Sequence, residues 1–260
     1  MHEPWLRSVE WKDLLDLTLF ERLHELVICL PWLAASWLAI SYGHLSVALA
    51  TSFMFFLAGL RQVHNAFHHS LGWPRWVDHA VMVVLSVLML GSMHVVQINH
   101  LRHHAHCMAE DDVEAMGARL SALGAILLGP RYPIMLHRKA LEIATPSQRA
   151  WIHGELAANV AWIAIVFLVL DLDFLRYHVF AMAAGQCLTA FFAVWTTHHD
   201  CEPGGPIARS IRNPIKATLA YNMFYHFEHH AFPAVPTCKL PELARRVDAA
   251  LPNLGLKHVY

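Results

Sequence analysis

The chain has 260 residues, of which 56% are hydrophobic and 15% charged, and a formal net charge of −1. Soluble domains carry roughly 25% charged residues, so an ordinary soluble enzyme is a poor fit, and the near-neutral balance gives no footing for a nucleic-acid partner. Cys29, Cys107, Cys187, Cys201 and Cys238 are scattered and form no CxxC. This argues against a disulfide scaffold or a cysteine-bound zinc and reads as free thiols in or beside a membrane. Histidine is the outlier, with 21 residues against 19 Lys and Arg together.

Residues 1–25 interleave apolar side chains (Trp11, Leu14, Leu17, Phe20) with charges of both signs. They predict an amphipathic helix at the membrane surface and not a cleaved signal. Residues 26–42 and 45–60 are long apolar stretches separated by Gly43 and His44, each close to the ~20 residues that span a bilayer. They predict a helical hairpin. Residues 79–98 are also apolar, but they connect two histidine clusters that must share one side of the membrane to share a metal. They are therefore read as one buried or interfacial helix that does not cross. Residues 120–136, broken by Gly129-Pro130-Arg131 and Pro133, predict a bent membrane-hugging segment. Residues 156–170 and 179–197 form a second hairpin, and residues 240–247 an amphipathic capping helix.

The architecture expected is all-α and integral to the membrane: four transmembrane helices in two hairpins, with a histidine-lined cap on the cytoplasmic face. The chain divides as one unit into residues 1–25 (interfacial helix), 26–62 (first hairpin), 63–153 (first two histidine clusters), 154–197 (second hairpin) and 198–260 (third cluster and cap). Of the 19 Lys and Arg, only Arg176 then lies opposite the rest, and the positive-inside rule assigns the crowded side to the cytoplasm.

All three histidine clusters fall on that side. They are His64 and His68 with His69 beside them, then His100, His103 and His104, and then His226, His229 and His230. On a helix, positions i, i+3 and i+4 share a face. Imidazole is the commonest metal ligand, and nitrogen-rich sites suit iron, copper, nickel or zinc. A single zinc takes about three or four protein ligands. Eight imidazoles, with His198 or His199 as a ninth, therefore suit two metals with open positions. At a membrane face, where an apolar substrate enters from lipid, the natural chemistry is oxygen activation on a lipid chain.

The boxes His64-Asn-Ala-Phe-His68-His69, His100-Leu-Arg-His103-His104 and His226-Phe-Glu-His229-His230 resemble those of the membrane fatty acid desaturase and hydroxylase superfamily. The stretch from Asn222 to Pro236 is similar to the third-box region of acyl-lipid desaturases. The resemblance covers about residues 64–243. It implies a non-haem centre of two iron ions, O2 as co-substrate, and hydrogen abstraction from an unactivated C–H bond. It carries over His64, His68, His100, His103, His104, His226, His229 and His230 as ligands. It adds His198, preferred over His199 because it continues the helix face. Asp111 or Asp112 matches an acidic residue that orients ligand histidines, a support metal sites usually need; His69 and His199 are assigned to the same supporting shell. The chain lacks a His-Pro-Gly-Gly segment, so electrons are expected from a separate donor of ferredoxin or cytochrome b5 type.

Other histidines, among them His79, His94, His137 and His178, are read as ordinary, His106 as either a ligand or a supporting or surface histidine, and residues 110–114 as a solvated turn apart from one aspartate. Two other readings share these residues. One is a hydroxylase or ketolase acting on carotenoids or other lipids. The other, of a different class, is a metal transporter or metal-binding membrane protein, although transporters place polar ligands near the bilayer midplane. A bis-histidine haem protein would need paired histidines within spans.

Overall fold

The computed structural model describes residues 8–201, 206–252 and 254–259, and among them there is no strand. A 3₁₀ turn, Lys12–Leu15, precedes α1 (Leu19–Val27) and α2 (Leu30–Ser41). Of the amphipathic helix expected over 1–25, the part from Leu19 onward is α-helical among the described residues. Residues 1–7 lie outside the described residues, and the helix begins at Thr18, whose side chain and that of Glu21 form a reciprocal capping box. Pro31, in the first turn of α2, cannot donate a backbone hydrogen bond, and this interrupts the helix between α1 and α2.

Next come α3 (Leu45–Phe67), α4 (Arg75–Leu88), α5 (Met93–His106), α6 (Ala122–Leu128), α7 (Tyr132–Ile143), α8 (Pro146–Leu168) and α9 (Asp173–Gln186). The chain then passes through a π-helical segment, Ala190–Trp195, into a final turn, α10 (Thr196–His198). Three short elements, α11 (Pro214–Leu219), α12 (His226–Ala231) and α13 (Leu240–Ala250), complete the order.

Four helical stretches are long and apolar enough to cross a membrane: Leu19–Ser41, Leu45–Phe67, Pro146–Leu168 and Asp173–His198. The third starts ten residues earlier than its hydropathy suggests, because Thr145 and Gln148 form a second capping box around Pro146. Leu38, Leu45, Val47, Leu49, Val160, Leu168 and Phe180 on these stretches are exposed, as lipid-facing side chains would be. Between helices, polar contacts join α2, α3 and α9: Ser36 Oγ meets Ser52 Oγ at 2.7 Å, and Ser52 meets Tyr177 OH at 3.0 Å.

The single helix expected over 79–98 is two helices. α4 and α5 meet at 116°. Leu90 has φ +55°, and Ser92 caps α5 by accepting from Val95 N–H. The apolar run hides this break, whose only sequence mark is Gly91-Ser92. The fold-back aims the C-terminal end of α5 at the C-terminal end of α3.

α6 and α7 break at Gly129–Arg131, as their sequence predicts. Gly129 lies so close to the Cys187 carbonyl that an added Cβ would sit 1.7 Å from its oxygen. Gly117 meets the Ala190 carbonyl in the same way, at 2.6 Å. This backbone-to-backbone packing surrounds the start of the π-helical segment. Such segments shift side chains around a helix and cluster at functional sites.

Candidate metal centre

His64 lies in the last turn of α3 and His68 caps it, so the first box belongs to the helix end and does not follow it. His100, His103 and His104 lie in the last turns of α5, and His198 closes the last span. Three helix C-termini, each carrying the partial negative charge of its helix dipole, therefore converge where a cation would sit. The third box forms α12.

The nine histidines divide into two groups. The donor atoms of His64, His68, His100, His104 and His229 all lie within 4.8 Å of one another. In this group the Nε2 atoms of His68 and His100 are 3.0 Å apart, those of His100 and His104 3.1 Å, and those of His104 and His229 2.9 Å. His103, His198 and His230 form the second group together with Cys107. His226 joins it, with its Nε2 2.9 Å from that of His198 and 3.2 Å from that of His230.

The helix geometry explains the division. An i, i+4 pair is offset by only ~40° around a helix, whereas i+3 is offset by ~60° in the opposite sense. His64 and His68, His100 and His104, and His226 and His230 stay together as i, i+4 pairs. The i+3 residues, His103 and His229, cross to the other group.

The donor set fits metal ions. His103 Nδ1 donates to Asp112 Oδ2 at 2.7 Å, and His198 Nδ1 to the Ile207 carbonyl at 2.8 Å. If both imidazoles are neutral, both Nε2 atoms are bare lone pairs, yet they face each other at 3.1 Å. Only an extra proton or a cation reconciles them. With ~2.1 Å metal–nitrogen bonds, two ligands at a right angle lie about 3 Å apart, which is the spacing found. Among the described residues, His64 Nε2 is buried with no hydrogen-bond partner. Burial first, and neighbouring imidazoles second, hold His226, His229 and His230 well below the usual histidine range, so they present neutral, ligand-competent nitrogens.

The remaining expected residues fall elsewhere. Asp112 is buried against His103, but Asp111 is exposed and pairs with Arg102. His69, at φ +54°, turns to Asp78 (2.8 Å) and belongs to neither group. His199 also stands outside both: its Nδ1 meets the Trp195 carbonyl at 2.6 Å, Arg209 donates to its Nε2 at 2.8 Å, and its ring stacks on Trp195.

Several residues that matter here carry little sequence signal. Glu114, read as part of a solvated turn, accepts from His100 Nδ1 at 2.7 Å, and burial pushes its carboxyl up to about 7. Glu228 sits inside the third box but on the opposite face from its histidines, and the alternation could have marked it as an anchor. It accepts from Ser210 and Arg212, both at 2.6 Å, and Arg212 reaches on to Asp248 of α13. Asn65, between the first-box histidines, binds Glu25 and Thr237, tying α1, α3 and the chain after α12 together. His94, expected to be ordinary, is buried and bonded to Glu155 (2.7 Å). His178 is also buried, against the Leu88 carbonyl.

A family model described as fatty acid desaturase matches residues 27–260. The chain belongs to the fatty acid desaturase family. No curated protein matches it. As a desaturase-family protein it is a lipid-modifying membrane oxidoreductase of an iron-dependent family, and its histidine groups could hold metal.

Beside the first group this desaturase-family protein has an apolar cavity, with about 1190 Å³ of empty space including its open mouth. His64, His100, His226 and His229 stand in its wall, and Val63, Phe67, Val96 and Leu136 are among its apolar lining. A second cavity, between α3 and α9, shares Leu57, Leu60 and Phe192 with the first.

Proposed function

We propose that this desaturase-family protein is an O2-dependent fatty acyl desaturase. In this reading its nine histidines hold two iron ions: His64, His68, His100, His104 and His229 one, and His103, His198, His226 and His230 the other. The observation that carries it is the apolar cavity walled by His64, His100, His226 and His229. Such a space admits a hydrocarbon chain and excludes water from it.

Bound iron would supply the oxidising power, drawn from O2, that removes hydrogen from an unactivated carbon. The protein supplies position and dryness. Val63, Phe67, Val96 and Leu136 hold the chain by burial of its methylenes, worth roughly 0.8 kcal/mol each. Asp112, Glu114 and the Ile207 carbonyl hold three imidazoles by their Nδ1 protons, so that each Nε2 faces inward. Removing two hydrogens while reducing O2 to two waters consumes two electrons and two protons, and a separate donor of ferredoxin or cytochrome b5 type would provide the electrons. The four apolar stretches are read as two hairpins. The positive-inside rule then places the centre on the cytoplasmic face, since Arg176 alone would lie opposite.

The test is mass spectrometry of lipids and carotenoids from a host expressing the protein, against one expressing His103→Ala. Products lacking two hydrogens, absent from the variant, are expected. Products with added oxygen would replace desaturation by hydroxylation or ketolation on the same centre. Unchanged lipids from purified, iron-loaded protein supplied with donor and O2 would sink the oxidative reading. Metal flux into proteoliposomes that survives loss of His103 and His230 would favour a transporter.

A further inference from the structure

Nine imidazoles cannot divide evenly between two ions. The first group has five nitrogens and the second four. The second group also holds a sulfur: Cys107 Sγ lies 3.7 Å from His103 Nε2 and within 4.8 Å of the donor atoms of His198 and His230. We propose that Cys107 is the fifth protein ligand of the second metal, making that site mixed nitrogen and thiolate while the first is all nitrogen. This rests on the two-metal reading above.

Three observations converge on it. Cys107 caps α5 one turn beyond His103, at i+4, so helix geometry aims both side chains the same way. The chain is then pinned there. Met108 takes φ +64°, and its N–H donates at 2.9 Å to Asp112, the carboxylate that also holds the His103 ring. Lastly, ~2.3 Å metal–sulfur and ~2.1 Å metal–nitrogen bonds set sulfur and nitrogen about 3.1 Å apart at a right angle and about 3.8 Å apart at about 120°, the angles of five-coordination, and the 3.7 Å found lies between them.

A weak S–H···N hydrogen bond to His103 would give the same distance in a metal-free protein. It does not survive metal binding, because the metal takes the Nε2 lone pair that the thiol needs. The thiol must then turn away or bind. On binding, the S–H bond breaks, its proton leaves to solvent, and the sulfur lone pair forms the metal bond with no change of oxidation state. Thiolate is a soft, strongly donating ligand, so the two ions become chemically distinct.

The experiment uses the full chain in detergent, loaded with Co²⁺ as the probe and separately with iron. Wild type should show a sulfur-to-cobalt charge-transfer band in the near ultraviolet. X-ray absorption of the iron form should show a sulfur neighbour at about 2.3 Å. Cys107→Ser and Cys107→Ala should lose both signals and bind the second cobalt at least about 10-fold more weakly, the least that loss of even an outer partner costs, while Cys201→Ser keeps both. Two metals bound with only nitrogen and oxygen neighbours, or a band that survives in Cys107→Ser, would overturn the assignment and leave the two-metal centre standing. Failure of the wild type to bind any metal would overturn both.

Discussion

Asp112 accepts the His103 Nδ1 proton at 2.7 Å, with both side chains buried. It also takes the N–H groups of Met108 (2.9 Å) and Ala115 (3.3 Å). Burial alone would raise this carboxyl, but these hydrogen bonds outweigh it and hold the pKa below the usual carboxylate value. Asp112 is therefore an ionised acceptor that fixes which His103 nitrogen faces the second group. Asp112→Asn keeps the shape and removes the charge. The second metal should bind about 10–100-fold more weakly, with helical content unchanged. Metal per chain, read by elemental analysis beside circular dichroism, checks this, and full metal occupancy in the variant at limiting iron would refute it.

Gly129 has no room for a methyl group, since its Cβ would fall 1.7 Å from the Cys187 carbonyl oxygen. The obstacle is backbone and cannot rotate away. Gly129→Ala should destabilise the protein by at least the ~1–3 kcal/mol typical of overpacking and displace the π-helical segment leading to His198. Gly154→Ala, where an added Cβ meets nothing within 4 Å, is the control. Thermal unfolding in detergent should separate the two.

Phe192 stands between the cavity beside the histidines and the one between α3 and α9. Phe192→Ala should join them and shift products toward longer acyl chains. The preference should change by roughly fourfold for each added methylene that becomes buried. Competition between two acyl lengths, read by mass spectrometry, measures this. An unchanged product ratio with normal metal content would mean the chain does not run past Phe192.

Arg246 grips Asp13 with two hydrogen bonds, at 2.7 and 2.8 Å, and Glu242 at 2.9 Å. The Arg246 hydrogen bond is the main reason both carboxyls lie below their usual values. An acid whose folded pKa lies below its unfolded one stabilises the fold above the unfolded value, near 4. That contribution is lost as pH falls through the lower folded value. The Lys12–Leu15 turn should stay docked on α13 at pH 5 and come loose below pH ~4. Hydrogen exchange of that turn would show it, and Arg246→Ala should loosen it at pH 7 as well.

The sequence by itself determined the apolar stretches and the histidine spacing. Both are local properties: a helix of ~20 apolar residues needs a bilayer, and i, i+4 imidazoles must share a face. The family resemblance supported a ligand at His198 or His199 and added an aspartate at 111 or 112. Tertiary structure decided what depends on chain segments far apart. It set the partition of His103 and His229 away from their neighbours, and it brought the Ile207 carbonyl to His198. It chose Asp112 over Asp111, because the turn after Cys107 buries one and exposes the other. The 116° fold-back of α4 and α5 is hidden because the apolar run continues on both sides of it and only Gly91 and Ser92 mark it. Glu114 read as part of a solvated turn, and nothing in the local sequence marked Glu155 or Glu228 as buried. A carboxylate's burial is set by what packs over it, and those partners lie tens of residues away in the chain.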